Sequence, residues 1–123
     1  MAFKRSARKR YLFISHSSTD RWVAKQMVKL IEERNKGYVE VFLDEKDIEG
    51  GQSIPDSIRN SIEQCDEFLV LLSNRSKDRK WVLIEMGAAW GLRKRIVMII
   101  DKVSPNEMPD LFSPYKAIDL NDF

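Results

Sequence analysis

The chain has 123 residues, of which 43% are hydrophobic and 10% aromatic, and this supplies enough apolar surface for one well-formed core. No apolar run approaches the roughly 18 residues of a membrane span, and no signal-peptide stretch follows the basic N-terminus. One cysteine, Cys65, excludes an intrachain disulfide, and with His16 as the one histidine no metal site is expected. We therefore expect one soluble, cytoplasmic domain that holds no cofactor.

The net charge of +2 hides an uneven distribution of charge along the chain. Five of the 21 basic residues lie within residues 1–10, which contain no acid, so the rest carries 16 basic against 19 acidic residues. Such a segment is able to contact nucleic acid or anionic lipid, but a solvated tail before the first strand is the commoner arrangement. We predict a flexible basic arm over residues 1–10 and expect neither nucleic acid nor membrane as a partner.

Five short apolar runs have the length and composition of β-strands. Helical patterns separate the first four, and strand alternating with helix implies a parallel sheet. Three runs are unbroken, as in interior strands, whereas Glu40 interrupts the second run and Lys116 and Asp119 interrupt the fifth, as expected for edges. This pattern predicts an α/β, flavodoxin-like, three-layer fold with five parallel strands in the order 2-1-3-4-5. The runs cover residues 11–15, 38–43, 67–72, 96–100 and 116–120.

Three helices are predicted between these strands. The first covers residues 20–34, where apolar side chains recur at helical spacing. Isoleucines at steps of four predict the second, which begins after Ser53. The third covers about residues 79–93 and has Lys94 near its C-terminal end. The candidate N-caps are Thr19 or Asp20 for the first helix and Ser76 or Asp78 for the third.

Polar residues at the predicted carboxyl ends of strands 1 and 3 mark a candidate site. In the order 2-1-3-4-5 the topological switch lies between these two strands, and open α/β sheets bind ligands beyond the carboxyl ends at such a point. Ser15, His16 and Ser17 end the first strand, and Ser73 ends the third. The third helix starts at the same edge, so Glu85 in its first two turns lies beside the predicted crevice.

Glu85 is the only polar side chain within residues 81–90. Its neighbours three and four positions away are apolar, so no cation on the same helix explains it. An ionised carboxylate removed from water needs a partner. Glu85 is therefore either paired from elsewhere in the fold, for example with Arg59 or Lys46, or kept for a ligand.

Motifs for several chemistries of this fold are missing from the sequence. The loop after strand 1 contains neither the acids that a phosphoacceptor site needs nor the glycine of a flavin phosphate loop. No nucleophile-elbow, Walker A or dinucleotide-binding motif occurs in the sequence. One carboxylate does suffice to cleave the bond between ribose and the nicotinamide of NAD. The leaving nitrogen is already cationic, so only the charge that develops on the sugar needs stabilising. A carboxylate about 4 Å from the sugar charge, at an effective dielectric of about 20, stabilises it by about 4 kcal/mol. This corresponds to roughly a thousandfold in rate.

Three motifs in a fixed order also carry a family resemblance. They are Phe13-Ile14-Ser15-His16-Ser17-Ser18-x-Asp20, then Phe42-Leu43-Asp44-x-x-Asp47-Ile48-x-x-Gly51, then Ser73-x-x-Ser76 followed by Trp81-Val82-x-x-Glu85. From about residue 11 to residue 120 the chain resembles a Toll/interleukin-1 receptor (TIR) domain of the bacterial type. This resemblance implies the flavodoxin-like fold that the strand pattern predicts separately.

The resemblance also implies an activity and partners. Many family members cleave NAD with the glutamate of a Trp-x-x-x-Glu motif, and become active by self-association through the loop after strand 2, here residues 44–54. The family usually has a further helix after strand 5, so residues 11–123 either lack it or are cut from a longer protein with a fused sensor or oligomerising domain. The implied site consists of Glu85 as the catalytic residue and, for substrate binding, Ser15, His16, Ser17, Asp44, Lys46, Ser73 and Trp81.

These observations lead to one functional hypothesis and two alternatives. The first is an NAD glycohydrolase that releases nicotinamide and ADP-ribose or a cyclic variant, acting as an effector of bacterial defence. The second is a TIR interaction module that signals by self-association without turnover. The third is a nucleoside deoxyribosyltransferase-like enzyme, because Glu85-x-Gly87-x-Ala89 after a strand resembles that family as well.

Overall fold

The computed structural model describes residues 9–43, 56–74, 80–103 and 117–122, without the side chains of residues 80, 81 and 122. Within these ranges five strands form one sheet with helices on both faces. The strands are β1 (Arg10–Ser15), β2 (Val39–Leu43), β3 (Glu67–Ser73), β4 (Arg95–Asp101) and β5 (Ala117–Asp119). The helices are α1 (Arg21–Arg34), α2 (Asp56–Gln64) and α3 (Lys80–Gly91), and short 3₁₀ turns cover Ser18–Asp20 and Leu120–Asp122.

The strand order is β2-β1-β3-β4-β5, and every neighbouring pair is parallel, as the sequence predicts. β3 is buried at every position after Glu67 because it is covered on both faces. β2 is partly exposed at each of its positions, and β5 exposes Ala117 and Asp119. The flavodoxin-like prediction is confirmed, and the polar interruptions identified both edge strands.

Two apolar layers cover opposite faces of the sheet. α1 buries Ala24 and Met27 against one face, next to Ile14, Leu69 and Leu71 of the strands. α2 and α3 cover the other face. Their buried side chains pack on Phe13, Phe68, Val70, Leu72, Ile96 and Met98.

A row of phenylalanines crosses the sheet beneath α2 and α3. Phe13 of β1 is in register with Phe42 of β2 and Phe68 of β3, and its ring centroid lies 5.2 Å and 5.3 Å from theirs. Side chains alternate between the faces of a strand, so Ser15 lies on the same face as Phe13, two residues nearer the carboxyl end. The register thus places a serine of β1 under the helices that follow β2 and β3.

α1 begins one residue later than its sequence pattern predicts, and it buries fewer of its apolar side chains. The 3₁₀ turn precedes it, and Asp20 occupies the N-cap position without making a side-chain capping bond. Trp22 and Leu30 fit the helical spacing of the apolar residues, yet they are 72% and 41% exposed. The predicted N-cap position of Asp20 is therefore confirmed, but its carboxylate makes no capping bond because it has the other partners described below.

α3 ends at Gly91, two residues before the predicted end. Arg93 has φ 57°, and the amide of Lys94 donates to the carbonyl of Ala89 at 2.9 Å, which is a left-handed helix stop. The Lys94 ammonium donates to the carbonyls of Glu63 and Cys65. Lys94 lies near the C-terminal end of α3, as predicted, and its side chain contacts carbonyl groups at the end of α2.

Some sequence predictions lie outside the described residues. These are most of the basic arm, the start of the second helix, the caps Ser76 and Asp78, and the loop of residues 44–54. In the part of the chain that the structure covers, no helix is both long enough and apolar enough to cross a bilayer.

Gly37 has a left-handed backbone conformation whose contribution to stability is testable. It has φ +78°, and a Cβ there would meet no atom within 4 Å, so the strain of Gly37→Ala comes from the backbone alone. We expect a loss of about 1 kcal/mol in unfolding free energy, measured by urea denaturation. Gly87→Ala is the matched control, because a Cβ in this helix also meets open space and should raise stability by about 0.5–1 kcal/mol. Changes of the same sign in both variants would contradict the expectation.

Candidate active site

Glu85 occupies a core position of α3. Residues three and four apart share one side of a helix, and on this side Val82 and Ala89 have no exposed surface. Met86 beside them is fully buried too, and so is Glu85 itself. The helix therefore presents a carboxylate to the sheet at a position where its pattern calls for an apolar side chain.

Ser15 is one partner of this carboxylate. Its hydroxyl donates a hydrogen bond of 2.5 Å to Oε1 of Glu85, and both residues are fully buried. The bond offsets part of the cost of removing the carboxylate from water.

The Ser15 contact also locates Glu85 in the fold. Ser15 is the last residue of β1, so the carboxylate lies at the carboxyl edge of the sheet, next to the gap between β1 and β3. This is the topological switch of the order 2-1-3-4-5. Of the structural partners that the sequence suggests, Arg59 is exposed on α2, and Lys46 lies outside the described residues.

A second polar cluster lies at the same edge, on the face of α1. Asp20, 1% exposed, accepts hydrogen bonds at Oδ2 from the hydroxyls of Ser73 at 2.7 Å and Ser17 at 3.3 Å. The hydroxyls of Ser17 and Thr19 are 2.6 Å apart. In the sequence Asp20 is a candidate helix cap and the last residue of the first family motif, and neither pattern predicts these partners. A helix cap and an acceptor for a distant side chain look alike in the sequence, because both are polar residues just before a helix.

The structure brings part of the predicted site together. Ser15, His16, Ser17 and Ser73 are all buried at the carboxyl edge. Ser15 faces Glu85, whereas Ser73 donates to Asp20 on the opposite face of the sheet. Asp44, Lys46 and the side chain of Trp81 lie outside what the structure describes, so their roles stay predictions, as do the substrate-binding roles of the others.

Other features of the described residues do not add to this site. A cavity of 340 Å³ lies at the amino end of the strands, between Ile31 of α1 and the apolar side chains of Leu12, Val97 and Ile118. It is at the opposite edge from Glu85. Within the described ranges, no group of three or more His, Cys, Asp or Glu side chains is placed to hold a metal ion.

Comparison with known proteins decides the family. The family model described as "TIR domain" matches residues 12–123. The chain belongs to the TIR domain family. Similarity to TIR-containing receptors agrees with this: the domain is 31% identical to Toll-like receptor 13 of Mus musculus over 78 residues, and 25% identical to Toll-like receptor 6 of Homo sapiens over 115 residues.

These relatives are far longer than this TIR domain. The matches cover 63% and 88% of the chain but 8% and 14% of the two receptors. Among solved structures, the TIR domains in the "activated Roq1 resistosome directly recognizing the pathogen effector XopQ" are similar, with a TM-score of 0.63 and 19% sequence identity. That match covers 80% of this chain and 61% of the other, and at this identity it establishes the fold alone.

The bond between Ser15 and Glu85 predicts an effect on the stability of this TIR domain. Ser15→Ala removes a donor from a fully buried carboxylate, so we expect a loss of about 1–3 kcal/mol in the free energy of unfolding. Urea denaturation measures it. Ser61→Ala is the matched control, since Ser61 is equally buried but donates to the neutral carbonyl of Ser57 within α2, and should cost less than about 1 kcal/mol. Equal losses of unfolding free energy in the two variants would show that the bond from Ser15 to Glu85 stabilises the fold no more than the bond from Ser61 does.

Proposed function

We propose that this TIR domain is an NAD glycohydrolase and that Glu85 is its catalytic residue. The observation that carries the proposal is the fully buried carboxylate at the switch between β1 and β3, with Oε1 held by the Ser15 hydroxyl. A site at this point is where open α/β sheets bind ligands. An acid kept in an apolar layer at this point is better explained by chemistry than by stability.

The proposed reaction breaks the bond between the anomeric carbon of the ribose and the nicotinamide nitrogen. The bonding electron pair leaves with nicotinamide, which becomes neutral, and positive charge develops on the sugar. The carboxylate of Glu85 stabilises that charge, and the surrounding apolar side chains strengthen the attraction by excluding water. Water then adds to the anomeric carbon and loses a proton, which gives ADP-ribose; attack by the adenine ring of the same molecule gives a cyclic product instead.

Substrate access is a condition of this proposal. Glu85 has no exposed surface, and Ser15, which donates to it, is fully buried as well, so NAD reaches the carboxylate only after a rearrangement at the crevice. We propose that self-association of the domain supplies this rearrangement. Support for self-association comes from the similarity to TIR domains of a resistosome. Activity is therefore best tested at high concentration and in an artificially clustered form.

The test is nicotinamide release from NAD by the clustered domain and by its Glu85→Gln variant. Loss of the carboxylate charge should lower the rate roughly a thousandfold, since it removes about 4 kcal/mol of stabilisation. Glu33→Gln on α1 is the matched control, because it makes the same chemical change at an exposed position and should leave the rate unchanged.

Three results would count against the enzyme. Nicotinamide release that persists in Glu85→Gln would exclude Glu85, and no release from any clustered preparation would exclude the activity. Preferential turnover of deoxynucleosides in the same assay would favour the deoxyribosyltransferase-like alternative. A role in bacterial defence stays a prediction that depends on this activity.

A non-catalytic interaction module is the second candidate. The domain exposes large apolar side chains, among them Trp22 at 72%, Tyr38 at 69% and Trp90 at 48%, which suits contacts with other proteins. It is also similar to receptors of the Toll-like class. Sedimentation that shows self-association, together with no NAD cleavage in the clustered state, would favour this candidate.

A further inference from the structure

Asp20 is a second buried carboxylate at the carboxyl edge of the sheet, on the face opposite to Glu85. It is 1% exposed, and its Oδ2 atom accepts hydrogen bonds from Ser73 and Ser17. The proposed chemistry gives this group no part. Burial of a carboxylate is costly, so its position calls for an explanation of its own.

The two serines lie at the carboxyl ends of different strands. Ser73 is the last residue of β3, and Ser17 lies two residues beyond Ser15, which ends β1. The 3₁₀ turn Ser18–Asp20 folds the chain back, and the Asp20 amide donates to the Ser17 carbonyl at 3.0 Å. Asp20 therefore ties the loop after β1 to the end of β3, on either side of the switch.

The helices that follow β1 and β3 lie on opposite faces of the sheet: α1 covers one face, whereas α3 covers the other. The parallel pairing of the two strands ends with Ser15 beside Val70, three residues before Ser73. Beyond that point, the bonds to Asp20 are side-chain contacts that bridge the crevice.

We infer that Asp20 is a positioning residue for the proposed NAD cleavage, which holds Ser17 and Ser73 together and so fixes the Ser15 hydroxyl against Glu85. The inference rests on the proposed function. Ser15 and Ser17 are separated by one residue, so a displacement of Ser17 shifts Ser15 and with it the carboxylate that Ser15 holds. A misplacement of about 1 Å at a reacting group lowers a rate by about a hundredfold.

Kinetics with NAD test this inference on Asp20→Asn, Ser73→Val and Ser73→Thr, well below their unfolding temperatures. Valine and threonine have nearly the same shape, but only threonine keeps the hydroxyl that Asp20 accepts. We expect Asp20→Asn and Ser73→Val to lower kcat by about tenfold or more with KM changed less than about threefold, and Ser73→Thr to recover most of the loss. Ser61→Ala, a buried serine of α2, controls for an effect on stability alone and should keep kcat. Equal kcat for valine and threonine would overturn the inference.

A double substitution tests whether Asp20 acts through Ser15. In the Ser15→Ala background the bond to Glu85 is already gone, so Asp20→Asn should lower kcat further by less than about threefold. If Asp20→Asn lowers kcat as much in the Ser15→Ala background as it does alone, then Asp20 does not act through Ser15.

Amide NMR supplies a readout that needs no turnover. We expect the amide signals of Ser15 and Glu85 to shift in Asp20→Asn and to stay in place in Ser61→Ala. If they stay in both, the positioning role is wrong even if NAD is cleaved. If they shift but the unsubstituted clustered domain does not cleave NAD, then the proposed function is wrong, and the role of Asp20 in that reaction is wrong with it.

Discussion

The burial of Glu85 is the constraint on which the site depends. A carboxylate in the apolar layer between α3 and the sheet would be strongly unfavourable without a donor. The Ser15 hydroxyl supplies one, and it is in reach because Ser15 follows Phe13 on the covered face of β1. The register of the strands, which the stacked phenylalanines help to fix, thus places a hydroxyl donor within reach of the acid of α3.

The topology of the sheet explains why polar residues gather at this edge. β1 and β3 are neighbours, but the helices that follow them in the chain cover opposite faces, which leaves a gap at their carboxyl ends. Hydroxyl and carboxylate groups fill both sides of this gap: Ser15 and Glu85 under α3, Ser73 and Asp20 beside α1. The apolar layers stabilise the fold on each side, and the polar pairs lie where those layers end.

Burial serves the proposed chemistry and also restrains it. An apolar environment strengthens the attraction between a carboxylate and a sugar cation, because little water is present to screen it. The same burial leaves Glu85 with no exposed surface, so the proposed substrate does not reach it without a rearrangement. A domain that must rearrange before it binds NAD is inactive until something drives that rearrangement, and self-association is a reversible way of doing so. Membership of the TIR family establishes the fold, whereas the proposed activity depends on this one acid.

The sequence by itself determined the layout of the fold and the identity of the unusual acid. Unbroken apolar runs mark strands covered on both faces, polar interruptions such as Glu40 and Asp119 mark edges, and the order 2-1-3-4-5 follows from them. Glu85 stands out because its own helix offers it no cation. Only the tertiary structure showed that Ser15, 70 residues away, holds that carboxylate, that Asp20 accepts from Ser73 instead of capping α1, and that Trp22 is exposed. Periodicity reports which side chains share a face of one element, but the partner of a side chain depends on how separate elements pack and in which register, and local sequence does not encode that.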